Sequence, residues 1–401
     1  MKKCFYLALP LLIVAASCSK SEMIEAPNAY KEISFSTYIG KAPETKGQSV
    51  DLAYLQGEGR GFHVKGFFHN STALPTIADD ANPYMDKAVF WVPASDGAEA
   101  HWDYDGVVYW PDASSTNYLA FTAFGVHNVE ASEVDGKTVH TSTVPAGVTN
   151  LDSNSFDFKV NSTVAEQQDL IVAPFQYAKK IDATTMANTT VTFTFKHVLS
   201  RVGFKVQANN DADTDVIITK VDLKGNFHTT GNVNLTLETP AIAQTGSASP
   251  QIYSLLPGND AFLCNSSITA QPIYNNATGV VAEGDTKYTV TALTENLEAN
   301  LANRYMMLMP TANSTLGNYQ LVVEYQLEGT KKYYTATADL NSSFKFEAGK
   351  SYEFLFKVST TSIGFSVTVS EWSNYFPVEG EDQDGNSIVV EDGEFTLTPI
   401  V

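Results

Sequence analysis

The side chains best suited to proton transfer or metal ligation near neutral pH are the seven histidines, His63, His69, His101, His127, His140, His197 and His228, and they are scattered singly along the chain. No H-E-x-x-H pair sets two of them on one helical turn, and no cysteine stands at zinc-site spacing from any of them. A G-x-S-x-G nucleophile elbow and a phosphate-cradling glycine loop are also absent from the sequence. Asp211, Asp213 and Asp215 in "DADTD" alternate like the first ligands of a calcium loop, but the glycine at the sixth position and the distant glutamate are missing. These patterns predict structural or surface histidines and an acidic loop, with no metal, no cofactor and no catalysis. The aromatic cluster "HWDYDGVVYWP" admits two readings. Trp102 and Trp110, with Tyr104 and Tyr109, could stack on a sugar whose hydroxyls donate to Asp103 and Asp105, or they could be buried hairpin aromatics. Alternation favours burial on at least one face, since Trp102 and Tyr104 point the same way in a strand.

Another reactive residue sits near the start, in "LLIVAASCSKSE". Lys2 and Lys3 precede an apolar run, Phe5 to Ala16, that is too short to span ~30 Å of hydrocarbon as a helix. Ala15, Ala16 and Ser17 then lead directly into Cys18, as in a bacterial lipobox, where the cysteine is diacylated and becomes the mature N-terminus. This predicts a signal peptide over 1–17 and a lipid anchor on Cys18, and two or three acyl chains hold a membrane far more firmly than one. An ordinary signal peptidase site is the alternative. Cys4 leaves with the signal and Cys18 carries lipid, so Cys264 is the only remaining thiol and no intramolecular disulfide can form. The formal charge of −20 repels nucleic acid and anionic lipid, and suits a soluble exported surface.

The elements that must position these residues are strands. "EISFSTYI", "VTFTFKHV", "RVGFKVQA", "YQLVVEYQL", "KYYTATADL" and "SIGFSVTVSEW" alternate apolar with polar or small residues. Asp105-Gly106, Asp135-Gly136, Asp384-Gly385 and Asp392-Gly393 supply turn signals between them. An all-β sandwich architecture follows. The segment 293–306, "LTENLEANLANRYM", is the one candidate for a helical turn, with an extended loop as the alternative. The polar "KKIDATTMANTT" at 179–190 marks a domain boundary. The expected organisation is a tether over 18–30, an N-terminal β-sandwich over 31–185, a C-terminal one over 186–372, and a tail over 373–401.

"VVYWPDASSTNYLAFTAF" (107–124), "QDLIVAP" (168–174), "VTFTFKHVLSRVGFKV" (191–206) and "FEAGKSYEFLFKVSTTSIGFSVTVSEW" (346–372), in this order behind a lipobox, resemble the fimbrillin-like pilus subunits of Bacteroidales-type bacteria. The family strand F-x-H-x-L-S-x-V-x-F stands here as Phe195, His197, Leu199, Ser200, Val202 and Phe204, and the closing V-x-x-W as Val369 and Trp372. The resemblance implies two tandem transthyretin-like β-sandwich domains, export as an outer-membrane lipoprotein, and a final place in a cell-surface fimbrium. It also implies that a protease removes the first strand with the lipid, leaving a groove that a strand of another copy or a related pilus subunit fills. An unpaired sheet edge offers a row of N–H and C=O groups to such a strand, and a heterologous contact of this kind propagates as a filament.

On this sequence the displaced first strand is "EISFSTYIG" (32–40), with Ile33, Phe35 and Tyr38 as packing residues, although strict alternation breaks after Phe35. The polar, Gly-rich segment behind it holds the expected sites for an Arg- or Lys-specific protease, Arg60 first and Lys46 second. If neither is cut, the protein stays lipid-bound as an anchor subunit. The donor is expected in the tail, where "SIVV" and "FTLTPIV" read as strands around Asp392-Gly393, with Phe395, Leu397 and Pro399 on one face. The same tail could instead complete its own domain. A surface glycan-binding lipoprotein, carried by Trp102 and Trp110, is the reading from another class. The sequence identifies no host or glycan ligand.

Overall fold

A computed structural model describes residues 32–39, 50, 52–70, 83–95, 97–111, 117–179, 190–208, 215–256, 262–264, 270–273, 305–311, 318–327, 333–359, 362–371, 388–394 and 396–400. Cys18, Lys46, Asp211, Asp213, Trp372 and Phe395 lie outside them.

The order of elements begins with β1 (Ser34–Ile39), one helical turn α1 (Leu52–Leu55), β2 (Arg60–Asn70), β3 (Met85–Val92), β4 (His101–Asp103), β5 (Asn117–Val134), β6 (Lys137–Thr143), β7 (Val148–Thr149), β8 (Ser155–Lys159), β9 (Ile171–Val172), β10 (Gln176–Lys179) and β11 (Thr190–His197). It continues with β12 (Ser200–Ala208), β13 (Val216–Phe227), β14 (Thr230–Asn234), β15 (Ile242–Thr245), β16 (Ser249–Ser254), β17 (Phe262–Cys264), β18 (Gln271–Pro272) and β19 (Tyr305–Leu308). The remaining strands are β20 (Gln320–Leu327), β21 (Tyr333–Asp339), β22 (Lys350–Val358), β23 (Ile363–Glu371), β24 (Ile388–Glu394) and β25 (Thr396–Ile400). The all-β expectation holds. In β11 the sequence TVTFTFKH buries Val191, Phe193, Phe195 and His197 and leaves Thr190, Thr192 and Lys196 exposed, the period of two that a half-buried strand requires.

The first sheet runs β1-β11-β9-β5-β2-β3-β4, with β6 and β10 added on β5. It curls over on itself. Phe62 of β2 meets Phe193 and Phe195 of β11 at ring separations of 6.0 and 5.3 Å although two strands lie between them in the ladder. The two edges also meet, through the bridge between Glu32 and Tyr109. The enclosed core includes Phe35, Phe62, Trp102, Trp110, Phe121, Phe193 and Phe195. A second core is shared by two further sheets, β18-β12-β22-β23-β24 and β16-β13-β20-β21-β25, and by a four-stranded sheet, β15-β14-β8-β7. In that last sheet β8, from the first half of the chain, pairs with β14 from the second, and Phe156 and Phe158 of β8 enter the second core.

Asp135 and Gly136, with φ of 52° and 73°, form the two-residue loop from β5 to β6, as their type I′ signature predicts. Asp392 and Gly393 behave otherwise. They lie inside β24, opposite Ser366 and Phe365, and the tail is not a hairpin. β24 completes the edge beside β23 and β25 completes the edge beside β21 in the other sheet, so the two strands of the tail belong to different sheets. Two open edges, each presenting unpaired backbone groups, override one turn signal. The helix candidate also fails at its C-terminal end: Tyr305 and Met306 belong to β19, paired with β12.

Candidate assembly site: the first strand and its seat

β1 is the edge strand of the first sheet and pairs in parallel with β11, from Ser34 opposite Thr190 to Ile39 opposite Phe195. Its inward side carries Ile33, Phe35 and Ile39, all at most 5% exposed. Phe35 stacks on Phe193 at 5.7 Å and meets Tyr104 and Phe121 at 5.8 and 6.2 Å. The break in alternation after Phe35 is an inward-facing Thr37, whose Oγ1 is buried without a hydrogen-bond partner among the described residues. Period two therefore runs through the strand to Ile39, which the sequence reading missed because it took Tyr38 as the next packing residue. The side chain of Tyr38 lies outside the described residues.

On the outward side Ser34 and Ser36 form a hydroxyl ladder with Thr190 and Thr192, at 3.0 and 2.6 Å. The start of the strand is clamped on its other edge. Ile33 N–H donates to Val108 O at 2.9 Å, and Tyr104 Oη donates to Ile33 O at 2.8 Å. Burial, then the nearby Glu32 carboxylate, push the Tyr104 hydroxyl pKa well up, so this donor keeps its proton.

Trp102 and Trp110 are 7% and 2% exposed and form part of the core under this strand. Trp102 packs edge-on against Phe62 at 4.9 Å and Trp110 against Phe121 at 6.0 Å. The sugar-platform reading of the pair is therefore corrected: neither ring has a face open to a ligand, because both fill the curled sheet.

Arg60 opens β2. Its N–H donates to Gly57 O at 3.2 Å, its guanidinium lies 3.8 Å from the centroid of the Tyr54 ring, and its backbone is in register with Asn128. The following Gly61 packs so closely that a Cβ there would lie 2.0 Å from Val89 O. The bond between Arg60 and Gly61 thus sits in a ladder, and a protease reaches it only after the start of β2 opens. The segment ahead of it is also buried, through Val50 and Leu55. Leu397 and Pro399 pair through their backbones with Ala336 and Tyr334, in β25.

The sequence reading treated His197 as an ordinary structural histidine and missed its partner. His197 Nδ1 lies 2.9 Å from Asp169 Oδ2, which also accepts Val50 N–H at 3.0 Å, and both side chains are buried. The signal was present in two quoted segments, "QDLIVAP" and "FTFKHVLS", that meet here. Gly349 N–H donates to Leu199 O and Ser200 Oγ to Glu347 O, both at 2.8 Å, bringing in "FEAGKSYEF" as well. Three of the segments that carry the resemblance, 168–174, 191–206 and 346–372, thus meet at the joint between the two cores. Among the described residues no cluster of three or more His, Cys, Asp or Glu could hold a metal ion, and no helix is long and apolar enough to cross a membrane.

The sequence matches the fimbrillin-like family over residues 72–372. The chain belongs to that family. A fimbrial protein from Bacteroides vulgatus has a similar crystal structure, with 14% identity, coverage of 85% of this chain and 99% of that one, and a TM-score of 0.51. A candidate cell adhesion protein from Bacteroides uniformis is 16% identical over 85% of this chain and 99% of its own, with a TM-score of 0.45. A fimbrial assembly protein from Parabacteroides distasonis is 9% identical over 85% and 96%, with a TM-score of 0.38. Among curated proteins none matches. The fimbrillin-like match includes the whole joint, Asp169, His197, Ser200 and Gly349, while β1 and Arg60 precede it.

Proposed function

We propose that this chain is a structural subunit of a cell-surface fimbria, exported as an outer-membrane lipoprotein on Cys18 and joined to other copies or related subunits by strand exchange. One observation carries the reading: among the described residues β1 is an edge strand whose ladder is with β11 alone, and it is seated in an apolar cradle. In the sequence it follows the lipobox-like segment ending at Cys18 and precedes the basic cleavage candidates. Cutting behind it frees the strand together with the lipid. The vacated seat then exposes the edge of β11 and the floor formed by Phe193, Tyr104 and Phe121, which another strand can cover. We read the two cores as two tandem domains. The tail supplies the donor. Its Phe395-Thr396-Leu397-Thr398 repeats the alternation of Ile33-Ser34-Phe35-Ser36, so a tail strand in the seat would set Thr396 and Thr398 against Thr190 and Thr192.

Two cleavage points have different consequences. A cut after Lys46 removes β1 alone, whereas a cut after Arg60 also takes Val50 and Leu55 out of the core and strips Asp169 of the Val50 N–H. The ladder around Arg60 favours Lys46, or no cut and an anchor role. Intact-mass and peptide analysis of surface-sheared and membrane fractions tests this. A sheared species beginning at Gly47 or Gly61 supports the polymerising subunit. An acylated Cys18 terminus in assembled fimbriae would refute the strand-release step.

A further inference from the structure

The outward face of β2, β3 and β5 carries a buried polar cluster that the assembly scheme does not use. His63 on β2 hydrogen-bonds through Nε2 to Asp86 on β3, and its ring lies 5.1 Å from that of His127 on β5. His127 is 1% exposed, and neither of its ring nitrogens has a hydrogen-bond partner among the described residues. Nδ1 of His63 and Oγ1 of Thr122 are buried and unpartnered in the same way. Lys65, two residues beyond His63 and 4% exposed, donates through Nζ to the backbone oxygen of Asp152 in the loop from β7 to β8. Phe124, which packs on both histidines, closes the seam by meeting Phe156 of β8 at 4.7 Å. The seam therefore joins the first sheet to the β15-β14-β8-β7 sheet across a row of ionisable groups.

We propose that this seam is an acid-triggered opening between the first sheet and the β7–β8 segment, with His127 as the trigger. A buried, unpaired imidazole is tolerated only while neutral, because a charge there would have neither water nor a hydrogen-bond acceptor. Burial above all, and then the charge of His63, push the pKa of His127 down to about 3, against a smaller opposing pull from Asp86. The other groups facing the cluster follow the same physics. Burial lowers the Lys65 pKa against the pull of Asp86 and Asp152. For Asp86, burial pushes the carboxyl up, but His63, Lys65 and His127 outweigh it and leave it below the usual range.

The direction of the effect follows from linkage. The closed-state pKa of His127 lies below its exposed value of 6.5, so between the two the open form binds the extra proton. The closed seam keeps its full stability above 6.5 and loses it as pH falls toward 3. For this one group the ratio of open to closed forms rises about 25-fold from pH 7 to pH 5.

Hydroxyl-radical footprinting of the full chain at pH 7 and pH 5 reads the seam directly. Phe124 and Phe156, both 0% exposed, should gain modification by an order of magnitude or more at pH 5, while Phe193 and Phe195 in the other core stay protected. His127→Phe, which fills the site with a ring that cannot titrate, should reduce that gain to less than about threefold; His127→Leu serves the same comparison if the first variant does not fold. Unchanged Phe124 and Phe156 in the natural chain, or an equal gain in the variants, would overturn the proposal.

Discussion

The seat of β1 makes a quantitative demand on Phe35. Its ring is 5% exposed and lies against Phe193, Tyr104 and Phe121, so Phe35→Ala removes a core aromatic from a strand whose ladder, among the described residues, is with β11 alone. Such truncations cost about 3–5 kcal/mol in rigid cores. An edge strand can close partly over the gap, so the lower end, about 3 kcal/mol, is the working figure. If β1 detaches locally before it is cut, that loss multiplies the detached population by roughly 150-fold, at 1.4 kcal/mol per factor of ten. The assay is limited proteolysis of the chain with a lysine-specific protease, timing the release of the segment ahead of Gly47 by mass, alongside a urea unfolding curve. In the regime where reclosing outpaces cutting, the rate tracks the detached population. Release should accelerate by two orders of magnitude in the variant, while the amides of β13 and β20 keep their exchange protection. A rate within a factor of three of the natural chain would refute the idea that Phe35 holds the strand in its seat.

Three other substitutions probe the surroundings. Gly61→Ala forces a Cβ to within 2.0 Å of Val89 O and should open the start of β2, lowering the melting temperature and making Arg60 cleavable by trypsin in the folded chain. Asp169→Ala leaves His197 and Val50 N–H without their shared acceptor in a buried joint; a loss of roughly 3 kcal/mol in urea denaturation is expected, because removing one member of a buried pair strands the other. Trp110→Ala should cost about 3–5 kcal/mol of stability through the emptied core, and affinity electrophoresis on a polysaccharide panel should show no specific change.

Much of this architecture was legible in the sequence because its strands are half-buried and antiparallel ladders dominate. "VTFTFKHV" declares both its faces, and Asp135-Gly136 declares the turn it makes. The inward Thr37 interrupted the same signal in β1. A hydroxyl at a core position reads as a break in period, although the backbone simply continues and Ile39 returns to the core. The misplaced turn at Asp392-Gly393 has a different origin. Turn propensity is local, whereas the edges of β21 and β23 that draw the tail apart are made by residues far away in sequence. Trp102 and Trp110 show the same limit: whether an aromatic cluster lies inside or outside depends on the sheet curling over it, and no spacing reports a curl.

The tail and the first strand stand in opposite relations to their sheets, and this bears on which of them moves. β24 and β25 bind two edges at once, so pulling the tail free uncovers both β21 and β23. Removing β1 uncovers the edge of β11 and the core beneath Ile33, Phe35 and Ile39, while among the described residues its outward side is held by two hydroxyl pairs that water can replace at small cost. On the proposed assembly a cut behind β1 severs the strand from the chain, and the Ile33 clamp, the β11 ladder and the buried side chains are then all that holds it. A tail that leaves its own edges must find an equivalent apolar seat with an equivalent ladder. In the proposed scheme the seat of β1, once cleared on a neighbour, offers the β11 edge and an apolar floor, so exchange is compatible with a tail that pairs within its own chain.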